Sequence, residues 1–169
     1  RVADAEKDYQ HLTTFKDSAA RGYEALAGFY GRSGKMEQGV AACETGLKDA
    51  PQDIGLQRLL AAALVSRTDP ESRQRGERMV DDLLKRTPND AAMLLVKAQD
   101  LLQDADPKSR EKSHTAAVAV LEQVVSIDPR RVSAHRLLVG LARQGGDNAL
   151  VAQRIVTALS ANPGNKEIL

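Results

Sequence analysis

Apolar residues recur along this chain at the spacing of one helix face, in runs separated by short polar breaks. The run between residues 20 and 32 places its apolar positions three, one and three residues apart, at Tyr23, Leu26, Ala27 and Tyr30. A second run between residues 36 and 49 has its one-face positions at Gly39, Val40, Cys43 and Leu47. This spacing is typical of amphipathic α-helices, so the two runs predict a pair of helices of about 13 residues each.

Two residues predict how the helices of this pair end. Gly34, within Ser33-Gly34-Lys35, can adopt the positive φ that often closes a helix at its carboxyl end. Pro51 stops the second helix, because proline has no backbone N–H to donate and its ring clashes with the preceding turn. Tight turns at both places predict an antiparallel helical hairpin.

The same arrangement repeats along the rest of the chain. Each helix pair is followed by a proline, at Pro51, Pro88, Pro129 and Pro163. These prolines are 37, 41 and 34 residues apart, and a period in this range indicates stacked helical repeats. The one-face positions of the later helix pairs are Leu60, Ala61 and Leu64 with Gly76, Val80, Leu83 and Leu84; Leu94, Ala98 and Leu101 with Ala117, Leu121, Val124 and Val125; and Leu138, Val139 and Ala142 with Val151, Ile155, Ala158 and Leu159.

We therefore interpret residues 1–169 as a single domain of helical repeats. Residues 1–19 are interpreted as the second helix of a truncated repeat, and residues 166–169 as the start of a further one. The four full repeats between them are expected at 20–53, 54–90, 91–131 and 132–165. The chain opens with Arg1 and enters directly into the helical pattern, so we interpret it as a fragment of a longer protein.

Aspartates mark several expected helix starts. Asp69-Pro70 and Asp106-Pro107 each combine an N-cap acid with a proline suited to the first helical turn. The second helices of the second and third repeats are therefore expected to start early, which would explain the two longer intervals. A disordered loop at 109–113 is the alternative for the third repeat. Asp147, after the turn Gly145-Gly146, is expected to cap the last helix.

Composition narrows the function without naming it. Charged residues make up 28% of the chain and nearly cancel, at a net charge of +1, so nothing favours nucleic-acid binding. Trp is absent and aromatic residues are 3%, which leaves little for stacking on single strands. No run of 18 apolar residues is present for membrane insertion. The chain is expected to be soluble and its residue usage is typical of bacteria, while the compartment, cytoplasmic or periplasmic, stays open.

In its first full repeat the chain resembles the tetratricopeptide-repeat (TPR) family. Tyr23 stands at the family's large residue early in the first helix, Leu26-Ala27 at its Leu-Gly pair and Tyr30 at its later aromatic residue. The small residues of the second helix and the terminal proline correspond to Gly39, Gly46 and Pro51. Later repeats depart from the pattern at Lys97, His135 and Val151. The resemblance extends over essentially the whole chain and implies an all-α fold, a right-handed α-solenoid of antiparallel helix pairs.

In such a stack the first helix of each pair lines a concave groove, both by resemblance and by geometry. The groove positions predicted from the sequence are Arg21, Glu24, Arg32, Arg58, Leu59, Ala62, Val65, Leu95, Val96, Gln99, Leu102, Arg136, Leu137 and Arg143. Arginine pairs with carboxylates in bidentate geometry, so the predicted partner is a protein or peptide with an apolar segment and acidic flanks. Alternatively, the apolar positions belong to the interhelical core and the arginines form a solvated face.

The sequence does not predict a catalytic, cofactor or metal site. His11, His114 and His135 lie on different repeats and lack the spacing of metal ligands. We expect His135 to pack at a helix interface and the other two histidines to be exposed. Cys43 lies on the buried face of its helix, where it is expected to behave as a small hydrophobic residue. We therefore expect no enzyme activity and no cofactor.

The leading hypothesis from the sequence is a protein–protein interaction scaffold that binds a peptide or helix in the groove. Some family members grip a carboxyl terminus with Lys and Asn side chains, but the equivalent positions here are Glu24, Gly28, Leu59, Ala92 and Val96. Such a clamp is therefore not expected. The alternatives are a homo-oligomerisation module, or a docking or regulatory arm of a larger catalytic or envelope-assembly protein.

Paired helices can cross at short distance only where a side chain is small, and we assign that role to Gly39, Gly76 and Ala117. We predict that Ala117→Leu lowers the free energy of unfolding by about 1–3 kcal/mol through overpacking. Thermal or denaturant unfolding of the two forms measures this difference. A melting curve unchanged within error would contradict the assignment.

Overall fold

The chain is seen here as a computed structural model, which describes residues 2–15 and 18–165. Its helices are Val2–Leu12 (α1), Ala19–Arg32 (α2), Met36–Asp49 (α3), Ile54–Val65 (α4), Pro70–Arg86 (α5), Ala91–Leu101 (α6), Arg110–Ile127 (α7), Val132–Gln144 (α8) and Asn148–Ala161 (α9). The predicted all-α class is confirmed over the described residues. The predicted start of a further repeat at 166–169 lies outside them. The chain divides into two compact units, Arg1–Arg86 and Thr87–Leu169.

The first unit contains the helix pairs α2–α3 and α4–α5, with α1 packed on α2. Helix α4 also contacts α3 and α2, so the two pairs share one core. The apolar faces predicted from the sequence meet there, and Leu56, Leu60 and Leu64 are at most 2% exposed. Burying each leucine contributes about 1.5–3 kcal/mol relative to leaving it in water. Packing of these faces therefore holds the unit together.

A polar contact joins α1 to the end of α2. The Tyr30 hydroxyl donates to Glu6 Oε1 at 2.9 Å, and Lys35 Nζ donates to Glu6 Oε2 at 3.0 Å. The hydrogen bonds from Lys35 and Tyr30 lower the pKa of the Glu6 carboxyl. The Tyr9 and Phe29 rings lie beside this contact, with centroids 5.7 Å apart. Helix α1 thus packs as an additional helix against the first pair.

The second unit contains the pairs α6–α7 and α8–α9, and α7 also packs on α8. Its most buried apolar residues are Ala98, Ala117, Leu121, Val124, Ala134 and Ala158. Several of these side chains are alanines because the helices approach closely, which leaves no room for larger groups. Most of the predicted one-face positions of α6, α7 and α8 are buried in this core. Ala134 was not among the predicted positions, and five that were are only half-buried: Leu101, Val125, Val151, Ile155 and Leu159.

Helix ends follow the local signals of the sequence. Gly34 has a φ of +71°, as predicted, and the Lys35 N–H donates to the Tyr30 carbonyl at 2.9 Å across it. At helix starts, aspartate carboxylates accept from backbone N–H groups that have no partner within the helix. Their acceptor distances are 2.8 Å for Asp53 and Asp69 and 2.9 Å for Asp147. The early start of α5 at Pro70 is confirmed.

The prediction for the third repeat was wrong in part, because α7 begins at Arg110 and Pro107 lies in the turn before it. Asp104 and Asp106 account for the difference. Each carboxylate accepts a backbone N–H two residues further on, from Asp106 and Lys108 respectively, at 3.0 Å. Side-chain hydrogen bonds of this kind stabilise turns in competition with helix. Of the alternative disordered loop at 109–113, residues 110–113 are helical and residue 109 lies in a turn.

Small residues occupy the closest approaches between helices, although not at every position we predicted. A Cβ atom added to Gly76 would lie 2.6 Å from the backbone nitrogen of Val65, and one added to Gly46 would lie 2.7 Å from Leu56 Cδ1. At Gly39 the nearest atom, the Ala27 carbonyl oxygen, is 3.4 Å away. The close-approach role predicted for Gly39 is therefore wrong, since that spacing is an ordinary contact, and Gly46 has the role in this pair.

Gly76 and Gly39 provide a matched test of this packing. We predict that Gly76→Ala lowers the free energy of unfolding by about 1–3 kcal/mol, because its methyl group meets rigid backbone. At Gly39 there is room for the methyl group, so Gly39→Ala is expected to raise the free energy of unfolding by up to about 1 kcal/mol, because alanine has the higher helix propensity. Urea unfolding of both variants checks the pair. Equal effects of the two substitutions would contradict the close-approach assignment.

Candidate functional site

In the first unit the helices α2 and α4 lie side by side. A Cβ atom added to Gly55 would be 1.6 Å from Glu24 Oε1, so the Glu24 side chain rests on α4. Four residues further along each helix lie Gly28 and Leu59, and one turn beyond them lie Arg32 and Ala63. These residues line a hollow between the helices. The two first helices therefore run in the same direction and expose a shared surface.

This surface contains a hollow of about 340 Å³ in the first unit. Its lining comes from α2, α4 and the start of α3, and is apolar except at one place. The residues are Ala27, Gly28, Gly31, Arg32, Met36, Gly39, Cys43, Leu59, Ala62 and Ala63. Because so many of them have small side chains or none, the helices leave open space there. Ligand sites in proteins occupy about 300–1,000 Å³, so this hollow is at the small end of the range.

Charged groups lie at one edge of the hollow and one helical turn from it. Arg32 is exposed, and its Nη1 lies 3.3 Å from where a Gly28 Cβ would be, so its guanidinium folds over that glycine. At the other end Glu24 lies near Asp53, and partial burial, together with the hydrogen bond and negative charge of Asp53, raises the pKa of the Glu24 carboxyl. The hollow thus has a cation at one edge and two carboxyl groups beyond the other.

Cys43 lies at the floor of the hollow and is 1% exposed. Burial raises the pKa of its thiol to about 12, with smaller contributions from the charges of Glu44 and Glu24. A nucleophilic cysteine needs a lowered pKa and access to its substrate, and Cys43 has neither. The prediction that it acts as a small hydrophobic residue is confirmed by its burial.

The groove residues predicted in the first unit have different environments. Arg32, Leu59 and Ala62 line the hollow. Arg21 and Glu24 lie on the preceding turns of α2, and the half-buried Arg58 lies between Gly55 and the hollow residues of α4. For Val65 the groove prediction is wrong: it is 3% exposed, because α5 covers the end of α4 where Gly76 approaches it.

The groove residues predicted in the second unit lie on α6 and α8 and at the end of α6. Leu95, Val96, Leu102 and Leu137 are half-buried, and Gln99, Arg136 and Arg143 are exposed. Helix α6 packs on α7, whereas α8 packs on α7 and α9. A hollow of about 480 Å³ in this unit lies along α7 and α8 and is lined by other residues, including Arg110, His114 and Leu141. The assignment of the predicted set to a binding groove stays a prediction.

Sequence reasoning missed the contribution of the turn and of α3 to the hollow. Gly31, Met36, Gly39 and Ala63 were not among the predicted groove positions, because only the outward faces of the first helices were considered. The available signal was the group Gly28, Gly31 and Gly39 on either side of the turn between the two helices. Three glycines there remove side chains from both helices of the pair, and this opens the surface between them.

The three histidines lie on different helices, α1, α7 and α8. His135 is 4% exposed, and its Nε2 lies 2.8 Å from the Pro129 carbonyl oxygen, which confirms its expected place at a helix interface. His11 is exposed as expected, but His114 is half-buried, because it faces the hollow beside α8. Among the described residues, no group of His, Cys, Asp and Glu is arranged to hold a metal ion. No helix in the described part combines the length and apolar character needed to cross a membrane.

Comparison with solved structures identifies the fold. The thermophilic TPR protein TTC0263 of Thermus thermophilus matches with a TM-score of 0.70 and 18% identity, covering 85% of this chain and 75% of that one. YrrB, described as a TPR protein with an unusual peptide-binding site, matches with a TM-score of 0.61 and 14% identity, covering 94% of this chain and 80% of that one. No family model and no curated protein matches the sequence. The chain thus has the TPR fold of α-helical repeats, as the resemblance predicted.

Cys43 allows a chemical test of the buried floor. We predict that a thiol reagent such as Ellman's reagent modifies Cys43 at least about a hundredfold more slowly in the folded protein than in urea, because thiolate is scarce and the sulfur is buried. Absorbance at about pH 8 measures the two rates. Comparable rates in both conditions would show that the floor is open to solvent.

Proposed function

We propose that this protein is a protein–protein interaction module, and that its first unit binds an extended peptide by inserting an apolar side chain into the hollow beside Leu59. The observation that carries the proposal is the hollow itself, an apolar cavity of about 340 Å³ with Arg32 at its edge. Apolar pockets with few, well-placed polar groups are the usual form of binding sites. The TPR fold, which includes a neighbour described as having a peptide-binding site, supports the same class of function.

The volume and shape of the hollow favour an extended peptide over a helix. A bound helix presents anchors at several turns and needs a long apolar groove. The space here suits about one or two aliphatic side chains, since it lies near the lower limit for ligand sites. An extended segment can insert one such side chain while its neighbours remain at the rim. We therefore assign the hollow to a single apolar anchor.

The charge at the rim favours an acidic residue near that anchor. Among the described residues that line the hollow, Arg32 alone carries a charge. Its guanidinium can form two parallel hydrogen bonds with a carboxylate. An Asp or Glu side chain a few residues from the apolar anchor would meet it. The proposed partner is thus a peptide segment that combines a leucine-sized residue with a nearby acidic residue.

A random library of peptides of about 12 residues, which reach about 40 Å when extended, tests this proposal with the purified protein. Enriched sequences are expected to share the apolar and acidic pair. Ala62→Phe fills the hollow with a larger side chain. It is expected to weaken binding of the enriched peptides at least tenfold, about 1.4 kcal/mol, as measured by fluorescence anisotropy. Arg32→Glu is expected to weaken them similarly and to reverse the preferred flanking charge.

Arg78→Glu is the matched control for charge, because Arg78 is an exposed residue of α5 in the same unit. It should leave the affinity unchanged, and circular dichroism establishes that each variant is folded. A library that enriches nothing, or peptides that bind Ala62→Phe and Arg32→Glu as tightly as the wild type, would refute the assignment to the hollow.

A further inference from the structure

Two carboxyl groups are brought together where α2 lies beside α4. Glu24 Oε1 occupies the space that a side chain at Gly55 would fill, since a Cβ there would lie 1.6 Å away. Asp53 Oδ1 lies 3.3 Å from the same Cβ position. The absence of a side chain at Gly55 thus lets the Glu24 carboxyl lie against the start of α4, with the Asp53 carboxyl beside it.

Asp53 cannot easily move away from this contact. Its Oδ1 accepts the Leu56 N–H at 2.8 Å and so caps the start of α4. Losing an N-cap of this kind destabilises a helix. The backbone of Glu24 is held within α2. The two carboxyl groups are therefore brought side by side by the packing of α2 on α4.

The surrounding charges do not neutralise the pair fully. On α2, Arg21 acts to lower the pKa of Glu24, but burial and Asp53 outweigh it, and the net direction is upward. On α3, the buried Cys43 thiol lies within electrostatic reach of Glu24. On α4, Arg58 follows Gly55 by three residues and has contacts of its own. Two carboxylates in contact repel each other unless one of them holds a proton.

We propose that a proton shared between Glu24 and Asp53 fastens α2 to α4, and that losing this proton at higher pH loosens the junction. We assign the proton to Glu24, since Asp53 Oδ1 already accepts the Leu56 N–H at the start of α4. The junction lies one turn from the hollow on both helices, so its loosening would change the spacing of the hollow walls. The proposal concerns the chain alone and stands whether or not the hollow binds a peptide.

The direction of the pH effect follows from linkage. A carboxyl whose folded-state pKa is raised binds its proton more tightly in the folded protein than in the unfolded chain. The stabilisation of the folded protein by this proton is complete below the unfolded-state pKa of the carboxyl. It is lost as the pH rises through the folded-state pKa. Glu6, Asp82 and Asp104 have lowered pKa values and so act in the opposite direction. The contribution of Glu24 must therefore be isolated by a difference measurement.

Glu24→Gln provides that difference, because a glutamine amide can donate to Asp53 at every pH. We expect the melting temperature of Glu24→Gln relative to the wild type to rise as the pH is increased from the ordinary glutamate pKa of about 4.3, because the wild-type junction loses its proton over that range. Glu71→Gln, at an exposed site in the first turn of α5, is the control and should give a difference that does not change with pH. A flat difference for Glu24→Gln as well would overturn the proposal.

Carbon-detected NMR of the side-chain carboxyls tests the same point in the wild-type protein, without any substitution. The midpoint for Glu24 is expected above that of exposed glutamates such as Glu71. Gly55→Ala places a methyl group where the Glu24 oxygen lies, and is expected to shift the Glu24 midpoint downward. A wild-type Glu24 midpoint no higher than that of Glu71 overturns the proposal, even if Gly55→Ala does not fold.

Discussion

The paired helices of the first unit come closest where one of them has no side chain. At Gly76 the backbone of α4 lies within 2.6 Å of where a Cβ would be, and at Gly46 the Leu56 side chain lies within 2.7 Å. A larger residue at either place would separate the helices and expose the leucines between them. Burial of the core, and with it the stability of the first unit, therefore depends on these contacts.

Glycine has a second and opposite use on the surface beside Leu59. Gly28, Gly31 and Gly39 have no backbone within the short distances seen at Gly76. Here the missing side chains leave open volume that no neighbouring helix fills. The same residue type thus closes the packing inside the helix pairs and opens a hollow between α2, α3 and α4. The two uses differ in what lies opposite the glycine, which the residue itself does not specify.

Carboxylates also have two uses in this fold. Asp53, Asp69, Asp90 and Asp147 satisfy backbone N–H groups at helix starts. Glu24 instead lies against a second carboxyl in a partly buried place, where the neutral form is favoured. Asp53 belongs to both arrangements, since it caps α4 and lies beside Glu24. The proposed proton between Glu24 and Asp53 allows one carboxyl group to serve in both.

The sequence by itself determined the helices, their order and most of their ends. Periodicity placed α2 and α3, Gly34 and Pro51 placed the turns, and aspartates placed several starts, because these signals act within a few residues of chain. The expected early start at Pro107 was wrong for a local reason as well, since two aspartates there form turns that compete with the helix. Rules based on a few neighbouring residues indicate where a helix can start, but they do not account for every side-chain hydrogen bond that competes with the helix.

Only the tertiary structure decided which surfaces are open. Val65 and Leu59 lie on one apolar helix, yet α5 covers the first and leaves the second beside a hollow. Gly39 and Gly46 lie two turns apart on α3, yet only Gly46 is at a close approach. The contact of Glu24 with Asp53 joins residues 29 positions apart in the sequence. Each of these outcomes depends on how neighbouring helices are placed against each other, and helical periodicity identifies an apolar face without specifying what will cover it.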